Sequence, residues 1–508
     1  MFRTRLGQQY PEVSVEVVPF QEDLGALFTK PEGLVEEWPP QQVTYLGIFL
    51  TRLNCKTIVV ENHYIDGDYV DDLAVFYARS LRNYPNHCQR LHFFSSQFDR
   101  GRFDQLLDET NQGRGVESEK FLQDGYLGFV VVRPLPGYPV GRTVLSTFGD
   151  LAEDGSTRRF GAVRDYDVNL SGFQLTIRGL AFQQQDQGVS ACATTALWSA
   201  LHKVTKSEEL ASPTPAEITE AASRYVLAGG RALPSDGLTA YQMCEAIRAA
   251  GLAPLIISAV GPEVDKAELS TYVDSGFPVV IALKPLVGSE GHAVCVVGTK
   301  VGRLSPQTDP AIVFTAESDA IKALYVHDDR LGPYAVAEIQ PFTLPRKDSS
   351  DETRIVTSLL IRWPSKEEWE LSLLRAMIVP VPVKLRLTAT RMRKLGMQLA
   401  QWTGGLLESS VTLSCRYLTG VVYKRAAASF GLNDDGFRQL VTQTIMSRYL
   451  GVIRIASNEG PLYDVLIDAT ETSLNPSVLA CVVRGEPFRK DPKPLTILAK
   501  ELGAVLIQ

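Results

Sequence analysis

Two hydrophobic periodicities divide the middle of this chain and limit its fold more than composition does. Between residues 192 and 275 apolar side chains recur every three to four positions, the spacing of helices buried on one face. Ala196, Leu197, Ala200, Leu201 and Val204 mark the first helix. Thr214-Pro215-Ala216-Glu217 is a capping box with proline at the first helical position, and it opens a second helix running to about residue 227. A third spans 239–250, with Tyr241, Met243, Cys244 and Ile247 as apolar positions and Gly251 as its stop, and a fourth spans 263–275. From Gly276 the pattern turns to short β-branched runs, the first at 276–283. Helices grouped first, with strands after them, predict an α+β core.

The residues that carry chemistry stand at the ends of these elements. Gln183-Gln184-Gln185-Asp186-Gln187-Gly188-Val189-Ser190-Ala191 is a polar turn that runs directly into Cys192. Cys192 thus opens the first helix, where unpaired backbone N–H groups and the positive end of the helix dipole favour a thiolate over a thiol. A cysteine nucleophile needs a base, and the chain has six histidines to search. His292 follows Gly291 and begins the run Ala293-Val294-Cys295-Val296-Val297, which fixes its imidazole at the start of a buried strand. Leu324-Tyr325-Val326-His327-Asp328-Asp329 reads as a further strand ending in acids before Gly332-Pro333. An acid there holds an imidazole in one tautomer, as the third member of a triad does. His327 adjoins that acid, but neighbouring strand residues face opposite sides, which makes it a structural or a rim residue.

A cysteine at a helix start, Gly-His opening a strand and an Asp ending the next strand, in that order, resembles the papain-like cysteine peptidase superfamily. Within it the similarity is greatest to the compact branch of bacteriocin-processing (double-glycine leader) peptidases, and it covers residues 172–345. The resemblance implies a papain-like two-lobe core, a helical lobe followed by an antiparallel sheet lobe, with the catalytic pair meeting across a cleft. In that branch the acid belongs to an Asp-Pro-x-x-Gly-like turn; Asp328-Asp329-Arg330-Leu331-Gly332 keeps the Asp and the Gly without the Pro. By that match Asp328 is the triad acid and Asp329 the reserve. The family's oxyanion-stabilising glutamine lies six residues before the cysteine. Asp186 occupies that position here, so Gln187, five before, and Gln185, seven before, are the two candidates.

Composition narrows the function classes. A chain of 508 residues that is 45% hydrophobic and 21% charged is ordinary globular material with room for two or three domains. Fifty-eight acidic against 51 basic residues leave a formal net charge of −7, which argues against a general nucleic-acid or anionic-membrane binder. No apolar run reaches the roughly 18 residues of a membrane-spanning helix. Residues 1–20 mix Arg, Gln, Glu and Pro without an apolar segment, so no secretory signal is expected. Cysteines at 55, 88, 192, 244, 295, 415 and 481 show no paired spacing, which points to reduced thiols in a cytoplasm rather than a disulfide framework.

Large α+β extensions are expected on both sides, at 1–155 and 364–508, around a core at 156–363. In the first, 55–61 and 126–134 read as strands, 71–81 as an amphipathic helix and 112–120 as a surface loop. His87, Cys88 and His92 are donor types for a metal, but a structural zinc site takes four ligands and no fourth is evident; no metal or cofactor is expected. In the last third 379–383 is extended and broken by prolines, and 385–402 reads as a basic helix with Arg386, Arg391, Arg393 and Lys394. No acid occurs from 371 to 407, which makes that stretch a candidate surface for an acidic partner. Nucleic acid is disfavoured there for want of interleaved motif residues, and a solvated helix face is the plainer reading. Residues 451–455 and 462–468 read as a strand pair around Asn458-Glu459-Gly460-Pro461.

The expected chemistry is acyl transfer to Cys192. His292 takes its proton, the thiolate attacks a carbonyl, and Gln187 or Gln185 with the Cys192 N–H stabilises the oxyanion. Asp328 orients His292, and water releases the acyl group. That is a cysteine peptidase or isopeptidase acting on a specific cytoplasmic protein or peptide. Two alternatives share the residues: transglutaminase- or deamidase-like chemistry on a Gln side chain, and a catalytically silent papain-like binding module.

Overall fold

The computed structural model describes residues 15–508, apart from 29–37, 111–114, 136, 187–190, 226–236, 288–290, 305–312, 347–348, 364–367, 428–429, 431–440 and 474–476. Five strands build the first sheet, each antiparallel to the next: β1 (Val15–Pro19), β2 (Thr57–Tyr64), β3 (Cys88–Phe94), β4 (Tyr126–Val132) and β5 (Val140–Leu145). Between them run α1 (Gln41–Arg52), α2 (Gly67–Val75), α3 (Arg100–Glu109) and α4 (Gly115–Gly125). Asp66 and Asp99 accept the N–H groups of Tyr69 and Arg102, which caps α2 and α3. Of the loop expected at 112–120, residues 112–114 lie outside the described residues and the rest belongs to α4, whose Ser118 and Leu122, four residues apart, face inward among exposed charges.

Next come β6 (Thr157–Arg159), the hairpin β7 (Arg164–Leu170) and β8 (Phe173–Gly179), then α5 (Cys192–Ser207), α6 (Pro215–Ser223), α7 (Ala240–Ala249), β9 (Ala253–Ser258) and α8 (Pro262–Val273). Thr214 and Thr239 each form a reciprocal capping box, with Glu217 and Gln242. The strands that follow are β10 (Val279–Pro285), β11 (His292–Val301), β12 (Phe314–Ala316), β13 (Ile321–Asp328), β14 (Gly332–Arg346), β15 (Ser349–Trp363) and β16 (Glu368–Val381). All but β12 pair antiparallel in that order, and β16 returns to β10 with Ile378 opposite Val280. The result is a closed six-stranded barrel.

This ring overturns the papain-like expectation of a helical lobe followed by an antiparallel sheet lobe. The structure is dominated by antiparallel sheet, and its helices are not set apart from the strands. α5 lies directly on β10, β11, β13 and β16. β9, inserted between α7 and α8, extends the barrel wall by pairing with the end of β16. The prolines that made 379–383 look broken are accommodated at that end, where Pro380 stands opposite Pro254 and a missing N–H is tolerated.

The last sheet takes β12 with β17 (Val411–Thr419), β18 (Tyr449–Ser457), β19 (Gly460–Asp468), β20 (Ser477–Val483) and β21 (Val505–Ile507). β18 and β19 are the strand pair read around Asn458-Glu459. Its helices are α9 (Ala389–Leu407), α10 (Gly420–Ala427), α11 (Glu486–Lys490) and α12 (Lys493–Glu501). The acid-free stretch 371–407 is thus divided between β16 and α9, with Arg391 and Lys394 exposed on α9 while Met392 and Ala400 are buried. Among the described residues no helix is long and apolar enough to cross a membrane.

Candidate active site

Three chain elements meet where α5 crosses the barrel. α5 begins at Cys192, and its N-cap, Ala191, is extended and contributes no side-chain cap. Leu197, Trp198 and Leu201 are fully buried and pin the helix to the barrel, while Cys192 itself is half-buried. β11 begins at His292 and β13 ends at Asp328. The register that sets Cys295 opposite His327 puts Asp328 across from Val294, one diagonal step from His292 and on the same face.

His292 Nε2 donates to Asp328 Oδ1 at 3.0 Å, and the Cys192 side chain lies close enough to His292 to favour its protonated form. Burial alone would strip the imidazole of its proton. The charge and hydrogen bond of Asp328, the nearby Cys192 side chain and the charge of Asp329 outweigh burial and raise His292 to about 10. Asp328 has no exposed surface. Burial pushes its carboxyl up, but the His292 and Arg330 cations prevail and hold it well below the usual carboxylate range.

Arg330 continues the charge chain. Its backbone N–H donates to Asp328 Oδ1 at 3.0 Å, closing an Asx turn. Its guanidinium grips Glu370 of β16 through two bonds of 3.0 and 3.1 Å. Asp329 is different: burial pushes its carboxyl up to about 7, with the His292 and Arg330 cations opposing and the Asp328 charge adding to the rise. The acid turn is fixed from behind by α1, where Gln42 Nε2 donates to the Asp329 carbonyl at 2.8 Å and the Tyr45 hydroxyl to the Pro333 carbonyl at 3.0 Å. Tyr334, at φ 56, holds a left-handed backbone that its buried hydroxyl secures by accepting from Leu180 N–H and donating to the Leu145 carbonyl.

Cys192, His292 and Asp328 are therefore brought together. Gln185 is half-buried and, among the described residues, makes no hydrogen bond; Gln187 lies outside the described residues. Asp186, at the position of the expected glutamine, is buried in an ion pair with Arg133 at 3.5 Å. His327 faces away from Asp328, edge-on to Phe182 and Tyr334, and burial lowers it to about 3. His87, Cys88 and His92 do not converge on a metal: His92 bonds the Tyr126 hydroxyl and Glu61, each at 2.9 Å, and the His87 ring lies tilted against that of His63. Sequence reasoning missed Arg330, Glu370, Gln42 and Tyr45 as supports of the site. The Asp-x-Arg spacing of the Asx turn is the one local signal that pointed to any of them. No family model and no curated protein matches this chain, so the functional reading rests on the geometry above.

Proposed function

We propose that this protein is a thiol-dependent hydrolase, a cysteine peptidase or isopeptidase acting on a protein or peptide through a thioester on Cys192. The observation that carries the reading is His292 held between Asp328, at 3.0 Å, and Cys192. With Nε2 committed to Asp328, Nδ1 is the nitrogen left for the sulfur. Cys192 attacks the carbonyl as the thiolate with its proton on His292. The imidazolium then protonates the departing amine, and neutral His292 activates the water that releases the acyl group. The first-turn N–H of α5, together with Gln185 or Gln187, is the donor set for the oxyanion. All seven cysteines are unpaired, which supports a reducing, cytoplasmic setting.

The test is brief, substoichiometric iodoacetamide at about pH 6, where only an activated thiol reacts quickly, followed by peptide mapping. Burial pushes the thiols of Cys55, Cys88, Cys415 and Cys481 up to about 12 and raises Cys244 and Cys295 as well. Cys192 is expected to label first, and His292→Ala to slow it. Even labelling, or none at Cys192, would sink the hydrolase reading.

A further inference from the structure

Asp329 takes no part in the chemistry above, yet it is an expensive group to bury. It is 3% exposed, and both carboxylate oxygens are shut away without a hydrogen-bond partner. An ionised carboxylate in that state needs a compensating charge. Asp329 Oδ1 lies 4.0 Å from His292 Nε2, which itself lies 3.0 Å from Asp328 Oδ1. One donor atom from each residue falls within 4.8 Å of the other two, and among the described residues no other trio of His, Cys, Asp or Glu does this.

We propose that His292, Asp328 and Asp329 form a binding site for a first-row divalent transition-metal cation, on the side of the imidazole away from Cys192. One imidazole nitrogen and two carboxylate oxygens suit ions of the Zn2+ and Co2+ type, which sit about 2.0–2.2 Å from such atoms. A triangle of donors this size encloses a point close to that distance from each. The surrounding charge also matches once His292 has given up its proton to become a ligand: Asp328, Asp329 and Glu370 against the Arg330 cation then leave two negative charges for a divalent ion to balance.

Occupation has a chemical consequence that rests on the hydrolase reading, although binding does not. The Nε2–H bond breaks, its proton leaves to solvent, and Nε2 gives its lone pair to the metal. The neutral ring keeps its proton on Nδ1, facing the sulfur, and cannot accept another. The bound cation is therefore a brake on Cys192.

The experiment titrates the full chain with Co2+, read by visible d–d absorption, in wild type, Asp329→Asn and Cys192→Ser. One equivalent is expected to bind to wild type and to Cys192→Ser alike, with no sulfur-to-cobalt charge-transfer band. Asp329→Asn is expected to weaken binding more than about 100-fold, beyond the 10–100-fold typical of a residue that only supports a ligand. The melting temperature of metal-free Asp329→Asn reports its fold, and His292→Gln carries the same expected loss should Asp329→Asn fail to fold. Absence of saturable binding, equal affinity in Asp329→Asn, or a charge-transfer band abolished by Cys192→Ser would overturn the site. Co2+ should also slow alkylation of Cys192 in wild type and not in Asp329→Asn; an unchanged rate in cobalt-loaded wild type overturns the brake. Selective alkylation of Cys192 in metal-free protein is read separately, so loss of the hydrolase reading leaves the cobalt result standing.

Discussion

Asp328→Asn removes one charge from the site and almost no volume. Unit charges 3.0 Å apart, at an effective dielectric constant of about 20, attract by about 5 to 6 kcal/mol. That attraction and the accompanying hydrogen bond, with smaller contributions from Cys192 and Asp329, outweigh burial and raise His292 from its ordinary 6.5 to about 10. Without the charge burial dominates, and Asp329, 4.0 Å away and itself pushed up to about 7, replaces little of it. His292 in the variant is expected to titrate below 6.5 and to be neutral at physiological pH. A ring that arrives without a proton, in an unfixed tautomer, should lower turnover by about 10²- to 10⁴-fold. The assay is NMR of histidine-labelled protein, with six histidines to resolve and His292→Ala to assign the signal, followed through pH. A wild-type His292 that titrates near its ordinary value, or one that Asp328→Asn leaves unmoved, refutes the reasoning.

The same pairing has a pH signature in stability. Folding raises His292, so its contribution is complete below about 6.5 and is lost as pH rises through about 10; the melting-temperature gap between wild type and Asp328→Asn should close over that alkaline window, and a gap that widens there would contradict it. Gly332→Ala would place a Cβ 2.1 Å from Tyr45 Cδ1, forcing α1 off the acid turn at a cost of about 1–3 kcal/mol, and an unchanged melting temperature would show that α1 does not bear on the turn. Trp198→Ala empties a fully buried position on α5, so urea unfolding should register a loss of about 3–5 kcal/mol, with a loss under about 1 kcal/mol counting against the packing described.

What could be read in advance was written in neighbouring residues. The Thr214-to-Glu217 box, the Gly291-His292 strand start and the acid end of β13 each depend on contacts a few positions apart, so periodicity and turn chemistry reach them. Barrel closure is of another kind. Val280 and Ile378 pair across almost a hundred residues, and nothing in either segment names the other. β16 was further disguised by Pro380 and Pro382, and α4 by the charges of Glu117, Glu119 and Lys120 around its short buried face. The supports of the site failed to show for the same reason: Gln42 reaches Asp329 from 287 residues away, and Glu370 reaches Arg330 from 40. A triad can be inferred from its members, whereas the frame that aims them is a property of the folded chain.

Ring closure also sets a timetable. The ribosome delivers Cys192, His292 and Asp328 in that order, and all three precede β16. Until Glu368–Val381 has emerged, the free edge of β10 has no partner and Arg330 has no Glu370 to hold it. A growing chain thus owns every reacting group before it owns the wall that aligns them. Chains that stall or are cut short of that strand then carry a bare strand edge open to wrong pairing, and Cys192, His292 and Asp328 stay without their closing wall until β16 has been made.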